Sequence, residues 1–334
     1  MATFIQMPTI PYNRMYQRPQ QIMKKLSEVG YTVYYTDNIN KKYLIKINDN
    51  LYEIGKKYNI NYEKLSRPII LWCSSPEQIT RINSMIYDYI VYDVVDDCSC
   101  EFETWSLYIE DMLNAADIVF TASDRLYRKF FSRHSYVYAI KNGLDIDNFS
   151  PGRNKIPEDI PRNRKIVGYA GAIATWIDWN LVRYISSNNT YNFVFVGAKC
   201  GKININLNGN VYFLGEKRYE ELPYYINNFS CCIIPFKVNE MTNSCNPIKL
   251  YEYMSLGKPV VSTAIEEVVK VKDLCYISGG KYDFMENIIK SVDEDNEKLS
   301  LLREKFAFDN SWDERVCSVL KILRLNHIFS PYNI

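Results

Sequence analysis

The sequence predicts an α/β protein built from two domains, each a parallel sheet layered with helices. Three observations carry that expectation. The chain has 334 residues, more than one hydrophobic core ordinarily serves. Strand-like and helix-like segments alternate along its length, the pattern of parallel sheets joined by crossover helices. Near the middle, Leu144–Arg164 mixes proline, glycine and charge with no period, which reads as an interdomain linker.

The elements follow in order. RPQQIMKKLSEVG (Arg18–Gly30) is predicted helical, because Pro19 falls in the first turn, where a missing N–H costs nothing, and Gly30 stands just past the end. Tyr31–Thr36 is then a strand. Pro68–Ser74, Tyr89–Asp97, Ala116–Ser123 and Tyr136–Gly143 are four more, each a short apolar run bounded by turn residues. This first domain is placed at residues 1–150. The second, at 165–310, opens on the strand Lys165–Ile173, which enters a glycine turn. A helix at Trp176–Asn188 and strands at Tyr191–Ala198, Asn210–Gly215 and Cys231–Phe236 follow. Then comes NPIKLYEYMSLGKPVVST (Asn246–Thr263), a helix, a glycine and an apolar strand. Asp283–Leu325 reads as helical, its last helix starting at Ser311 in a C-terminal segment, 311–334.

Composition narrows the function. An apolar content of 47% with 24% charged residues is a soluble globular balance, and a net charge of +1 gives no reason to expect nucleic-acid binding. No run of 18 apolar residues would span a bilayer, and the N-terminus lacks the pattern of a signal peptide. A cytoplasmic protein is therefore expected. The nine cysteines form no paired C-x-x-C pattern, which fits reduced thiols in a cytosol. The only histidines are His134 and His327. A His-based zinc site or a Ser–His pair has almost no material, so acid–base work falls to carboxylates.

Four constellations could carry chemistry. In Asn246–Thr263, Asn246 is expected to cap the helix and Pro247 to open it. Lys249 then adds its charge to the positive helix end, making a place for a diphosphate. Glu252 lies three residues on, on the same face and about 4.5 Å along the axis, where a carboxylate can accept hydrogen bonds from a ribose diol. The same spacing also fits a surface Lys–Glu pair. The turn GYAGAI places Gly168 and Gly171 between a strand and a helix, where backbone amides can approach a phosphate, or where the chain simply turns tightly. VYDVVDD ends a strand with Asp96 and Asp97. Ligands of open α/β sheets bind at such carboxyl ends, although a helix cap is the alternative. Finally, Arg125, Arg128, Lys129 and Arg133 are interleaved with Phe130 and Phe131, which suits an anionic membrane surface or a solvated helix with a buried aromatic face.

At this point the chain resembles a known family. NPIKLYEYMSLGKPVVST is similar to the nucleotide-binding signature of GT-B glycosyltransferases, close to glycosyltransferase families 4 and 1. QRPQQIMKKLSEVGYTVYY, VYDVVDD, ADIVFTAS, KNGLDIDNFSP, GYAGAI, NVYFLGEKRYEELPYYI and CCIIPF stand in the order the family shows, so the resemblance covers nearly the whole chain. It implies two Rossmann-like domains with an interdomain cleft, the acceptor on the first and the donor on the second, and a last helix crossing back to the first. It implies that Glu252 holds the ribose, that the turn at Gly171 and Ala172 faces the phosphates, and that the loop Gly215–Tyr219 covers the base. The expected donor set is completed by Ser244, Asn246, Lys249 and Leu250.

The chain departs from the family pattern at three places. Many members carry a second glutamate eight positions before the first, where this chain has Ser244, with Glu240 nearby. Many carry an arginine and a lysine after the glycine turn, where AGAIATWIDW has neither, and Lys249 is the natural replacement. Where family 4 often has a catalytic histidine, this chain has Asp96, a carboxylate able to act as base in an inverting displacement, with Asp97 as the alternative. The expectation is a transferase moving a sugar from a nucleoside diphosphate, UDP in the first place, to a hydroxyl of a glycan or lipid-linked glycan. It would need no metal or other cofactor, serve cell-envelope or capsular polysaccharide synthesis, and touch the inner membrane face weakly. A sugar-nucleotide epimerase and a non-catalytic sugar-nucleotide or glycan-binding module are the alternatives.

Overall fold

The computed structural model of the chain describes residues 1–150, 152, 155–202 and 205–329. Residues 151, 153 and 154 of the predicted linker, and 330–334 of the C-terminal segment, lie outside the described residues. The chain divides into two compact units. One is Met1–Asn142 joined by the segment from Trp312 on. The other is the unbroken stretch Gly143–Ser311.

The first unit is built on an eight-stranded sheet: β1 (Thr3–Thr9), β2 (Thr32–Asp37), β3 (Leu44–Lys46), β4 (Leu51–Ile54), β5 (Ile69–Cys73), β6 (Tyr89–Val94), β7 (Ile118–Thr121) and β8 (Val137–Ala139), ordered β3-β4-β2-β1-β5-β6-β7-β8. All pairings are parallel except β3 with β4. β1 sits near the middle. Its segment gave no strand signal because Gln6 and Pro8 interrupt the apolar run. Gln6 is nonetheless buried, and its amide donates to the Met7 carbonyl and the Ser74 hydroxyl, each at 3.1 Å. That pairing offsets the cost of burying an amide. Helix α1 (Arg18–Glu28) starts at the predicted residue and ends before Gly30, whose φ of 98° takes the left-handed turn. Arg18 forks onto Asp93 of β6 at 2.7–3.0 Å and reaches the Asn142 side chain at 3.2 Å, and the Trp72 indole donates to the same carboxylate. This buried, fully paired network fixes α1 to the sheet. Helix α2 (Asp124–Phe130) is capped by Ser123, which accepts from the Leu126 amide.

The second unit carries a six-stranded, all-parallel sheet: β9 (Lys165–Ala170), β10 (Tyr191–Val196), β11 (Val211–Phe213), β12 (Cys231–Ile234), β13 (Val260–Thr263) and β14 (Tyr276–Ser278), ordered β11-β10-β9-β12-β13-β14. Its strands are buried on both faces, as parallel strands covered by helices must be. Helices α3 (Trp179–Ile185), α4 (Glu240–Ser244), α5 (Ile248–Ser255), α6 (Lys281–Asp293) and α7 (Glu297–Phe308) follow in order. α5 ends at Gly257, whose φ is 68° and whose carbonyl accepts from buried Arg303 of α7 at 2.8 Å.

Two sequence readings change here. The segment after Asn142 is not a free linker at its start, because Leu144 and Phe149 are fully buried in the second core and the Leu144 amide donates to Asn310. Gly168 is not a turn glycine. It lies inside β9, and a Cβ there would stand 2.1 Å from the Phe229 ring, so its smallness serves packing.

The final helix, α8 (Trp312–Leu325), belongs to the first unit. It packs on α1, buries Trp312, Val316, Val319 and Leu323, and is pinned by Lys25 to Asp313 at 3.1 Å and by Arg315 to the Asn142 carbonyl at 3.1 Å.

Candidate functional site

In the second unit the predicted residues gather at the carboxyl end of β9, beside its neighbours β10 and β12, and at the start of α5. β9 ends at Ala170, and Gly171 then takes a φ of 139°, a conformation that L side chains rarely adopt. Its amide is held by the Val196 carbonyl at 2.9 Å, and the Ile173 amide by Ala198 at 2.8 Å. The turn is thus carried on the end of β10. Gly197 makes this possible, because a Cβ there would lie 2.0 Å from the Gly171 carbonyl oxygen. The sequence reading missed Gly197. Its only trace was a glycine directly after an apolar strand.

Lys249 reaches the same turn. A Cβ on Gly171 would lie 3.1 Å from Lys249 Cε and 3.4 Å from both Lys249 Nζ and the Tyr169 hydroxyl. The ammonium stands 5.3 Å from the Tyr169 ring centroid and 5.0 Å from that of Phe236. Tyr169 is fully buried and donates its hydroxyl proton to the Ala172 carbonyl at 2.8 Å, with the Lys249 charge close by. Gly171, Ala172 and Lys249 are therefore together, around a tyrosine that sequence reading did not single out.

One turn along α5, Glu252 is 7% exposed. Burial pushes its carboxyl up to about 7; the nearby Lys249 charge opposes this, Asp145 adds to it, and a hydrogen bond from Tyr219 opposes it. Lys249 and Glu252 form no ion pair with each other among the described residues, so the surface-pair alternative does not describe them. Tyr219 is brought to this end by its own loop. Its ring packs edge-on against Phe149 at 5.6 Å, and its carbonyl accepts from Asn148 at 2.9 Å. Asp145, Asn148 and Phe149 lie in the segment read as linker, which is why sequence reasoning did not connect them to the site.

Three other predicted donor residues are placed differently. Asn246 does not cap α5. The cap position is Pro247, and the Asn246 side chain accepts from the Tyr251 hydroxyl at 3.2 Å and donates to Glu267 at 3.4 Å. The rigid proline displaces it from the cap by one residue. Leu250 points into the hydrophobic core, and its amide donates to the Pro247 carbonyl. Ser244 ends α4, fully buried, and its hydroxyl oxygen has no hydrogen-bond partner among the described residues.

In the first unit, β6 stops at Val94, so Asp96 and Asp97 lie in the loop beyond it. Their environments separate them. Asp97 is 1% exposed and tied to Lys129 of α2 at 2.7 Å. Asp96 is half-buried and carries no ion pair among the described residues. Burial, and then the neighbouring Asp97 charge, push it up to about 6. On α2 and the turn after it, Lys129 is used by Asp97, Arg133 pairs with Glu110 at 2.5 Å, Phe130 is buried and Phe131 is exposed.

Residues 164–293 match the family model described as "Glycosyl transferases group 1". The second unit is a group 1 glycosyltransferase domain. A curated relative, the putative teichuronic acid biosynthesis glycosyltransferase TuaH of Bacillus subtilis (strain 168), is 23% identical over 173 residues, covering 48% of this chain and 44% of that protein. The match thus spans less than half of that protein's length. Among solved structures, the sucrose-phosphate synthase of Thermosynechococcus elongatus superposes with a TM-score of 0.73 at 13% identity, covering 97% of this chain and 99% of that one. Anabaena HepE, solved in complex with UDP-glucose, gives 0.69 at 14% identity over 96% and 100%. These likenesses establish the GT-B fold for the chain that carries the group 1 domain. Among the described residues no helix is long and apolar enough to cross a membrane.

Proposed function

We propose that the protein transfers a glycosyl group from a UDP-sugar to a hydroxyl of a glycan or lipid-linked glycan, in cell-envelope polysaccharide synthesis on the cytoplasmic side. The observation that carries this reading is a buried carboxylate and an ammonium with no ion pair among the described residues on one face of α5, the ammonium beside a glycine turn. Glu252 accepts hydrogen bonds from the ribose diol, and Tyr219 steadies the carboxylate. Lys249, the first turn of α5 and the backbone around Gly171 and Ala172 receive the diphosphate. Ser244 offers its unpartnered hydroxyl to the donor sugar.

In the chemical step the acceptor oxygen forms a bond to the anomeric carbon as the bond from that carbon to the diphosphate oxygen breaks. Asp96 takes the acceptor proton, and the electron pair leaves with the diphosphate, whose growing charge Lys249 neutralises. A fixed ammonium supplies that neutralisation without a metal. The first unit, with Arg125, Arg128 and exposed Phe131, gives weak contact with an anionic bilayer when the acceptor is lipid-linked. HepE, the relative solved with UDP-glucose, and TuaH, named for teichuronic acid, support the donor and pathway classes.

The test is a donor screen with product detection on purified protein and a lipid-diphosphate acceptor, run with and without excess EDTA. UDP-sugar turnover that survives chelation is expected. Turnover without acceptor would instead indicate epimerisation, and binding without turnover a binding module. Loss of activity to EDTA, restored by a divalent ion, would remove the lysine-only account of the leaving group.

A further inference from the structure

Lys249 is held in an unusual way. The ammonium sits beside two aromatic rings, Tyr169 and Phe236, at 5.3 and 5.0 Å from their centroids. The two rings meet edge-on at 6.4 Å, and Tyr169 is backed by Phe195 at 5.6 Å. Each ring is rigid because the core around it is full. The Tyr169 hydroxyl adds direction. It donates to the Ala172 carbonyl at 2.8 Å, and the hydroxyl and the ammonium each lie 3.4 Å from where a Cβ on Gly171 would stand, so both flank the same turn. A lysine side chain has four rotatable bonds and normally roams, and ordering it costs side-chain entropy. Here that ordering is done before any ligand arrives. The ring faces also favour a cation, which keeps Lys249 charged while half-buried.

We infer that Tyr169 is a positioning residue: its hydroxyl fixes the Gly171–Ala172 turn and its ring, with that of Phe236, holds the Lys249 ammonium beside that turn, so that the lysine is preorganised to hold a nucleoside diphosphate. The inference rests on the donor reading above. It gives the strand-end aromatic a role in ligand recognition that packing alone would not require, since phenylalanine would fill the same volume.

The test is Tyr169→Phe, which keeps the ring and removes the oxygen. Binding of UDP is measured by calorimetry and binding of uridine by NMR, for wild type and variant. The expected result is that UDP binds about tenfold more weakly to the variant while uridine is unchanged, because the Ala172 carbonyl loses the hydroxyl that holds the turn beside the ammonium. Phe236→Leu is the second variant, expected to show the same selective loss if Tyr169→Phe does not yield folded protein. Equal UDP binding by wild type and variant overturns the inference, and so does a parallel loss of UDP and uridine, which would mark a structural role alone. A wild-type protein that binds no nucleoside diphosphate would instead overturn the donor reading, and this inference with it.

Discussion

The carboxyl edges of the two sheets present their charges in opposite ways. Beyond β6, two like charges stand side by side. Lys129 relieves Asp97, and Asp96 is left half-buried next to it with its carboxyl pushed up to about 6. Beside β9, two unlike charges stand one helical turn apart, yet they do not pair, and Glu252 rises to about 7 in spite of Lys249. Burial outweighs the attraction because the carboxyl sits in the protein while the ammonium is drawn aside by Tyr169 and Phe236. The first edge leaves one raised carboxyl beside a neighbour that is ion-paired. The second keeps a cation and a carboxyl apart on one helix face.

The largest way to break this comparison is Asp96→Asn. A positioned base contributes about two to four orders of magnitude, so kcat should fall by that range while UDP affinity stays near wild type. Asp97→Asn should do far less, because Asp97 already spends its charge on Lys129. Near-normal turnover in both would leave the first edge without a catalytic carboxylate.

Next in size is the second edge. Removing the Glu252 acceptor with Glu252→Ala should weaken UDP by about 1.5–3 kcal/mol, the range for hydrogen bonds to charged groups. Calorimetry giving wild-type affinity would detach the ribose from this residue.

The smallest effect sharpens the contrast through pH. A base must be ionised, so kcat/KM should fall as pH drops through about 6, the value set by burial and Asp97 at Asp96. Asp97→Asn removes the like charge and should move that acidic limb downward, whereas Glu252→Gln should leave it in place. A limb that follows Glu252 instead would assign the titration to the donor end.

Much of this was legible in the residues. The Lys249–Glu252 spacing, the glycine turn, the alternation of elements and the carboxylates after β6 all survive into three dimensions because each rests on local geometry. What was hidden depends on distant partners. Tyr169 and Phe236 read as strand-end aromatics, and no periodicity says that a buried ring also faces a lysine 80 or 13 residues on. Asp145 and Phe149 lay in a stretch whose prolines and charges resemble a linker, although they pack into the second unit. Asn246 looked like a cap because its type favours caps, but Tyr251 and Glu267 occupy its side chain. Gln6 and Pro8 masked a central strand because a buried amide breaks the apolar run that marks such strands.

The placement of α8 has a consequence for the order in which the molecule is made. The second unit, Gly143–Ser311, is one continuous stretch, whereas the first needs the helix Trp312–Leu325 to cover α1. On the ribosome the unit begun first is therefore finished last. The nascent first unit waits, with the apolar face that Trp312, Val316, Val319 and Leu323 will cover still open, through the synthesis of the entire second unit. Maturation runs against the usual N-to-C sequence of domain folding, and a chain that stalls before Trp312 holds a complete second unit beside an unfinished first one.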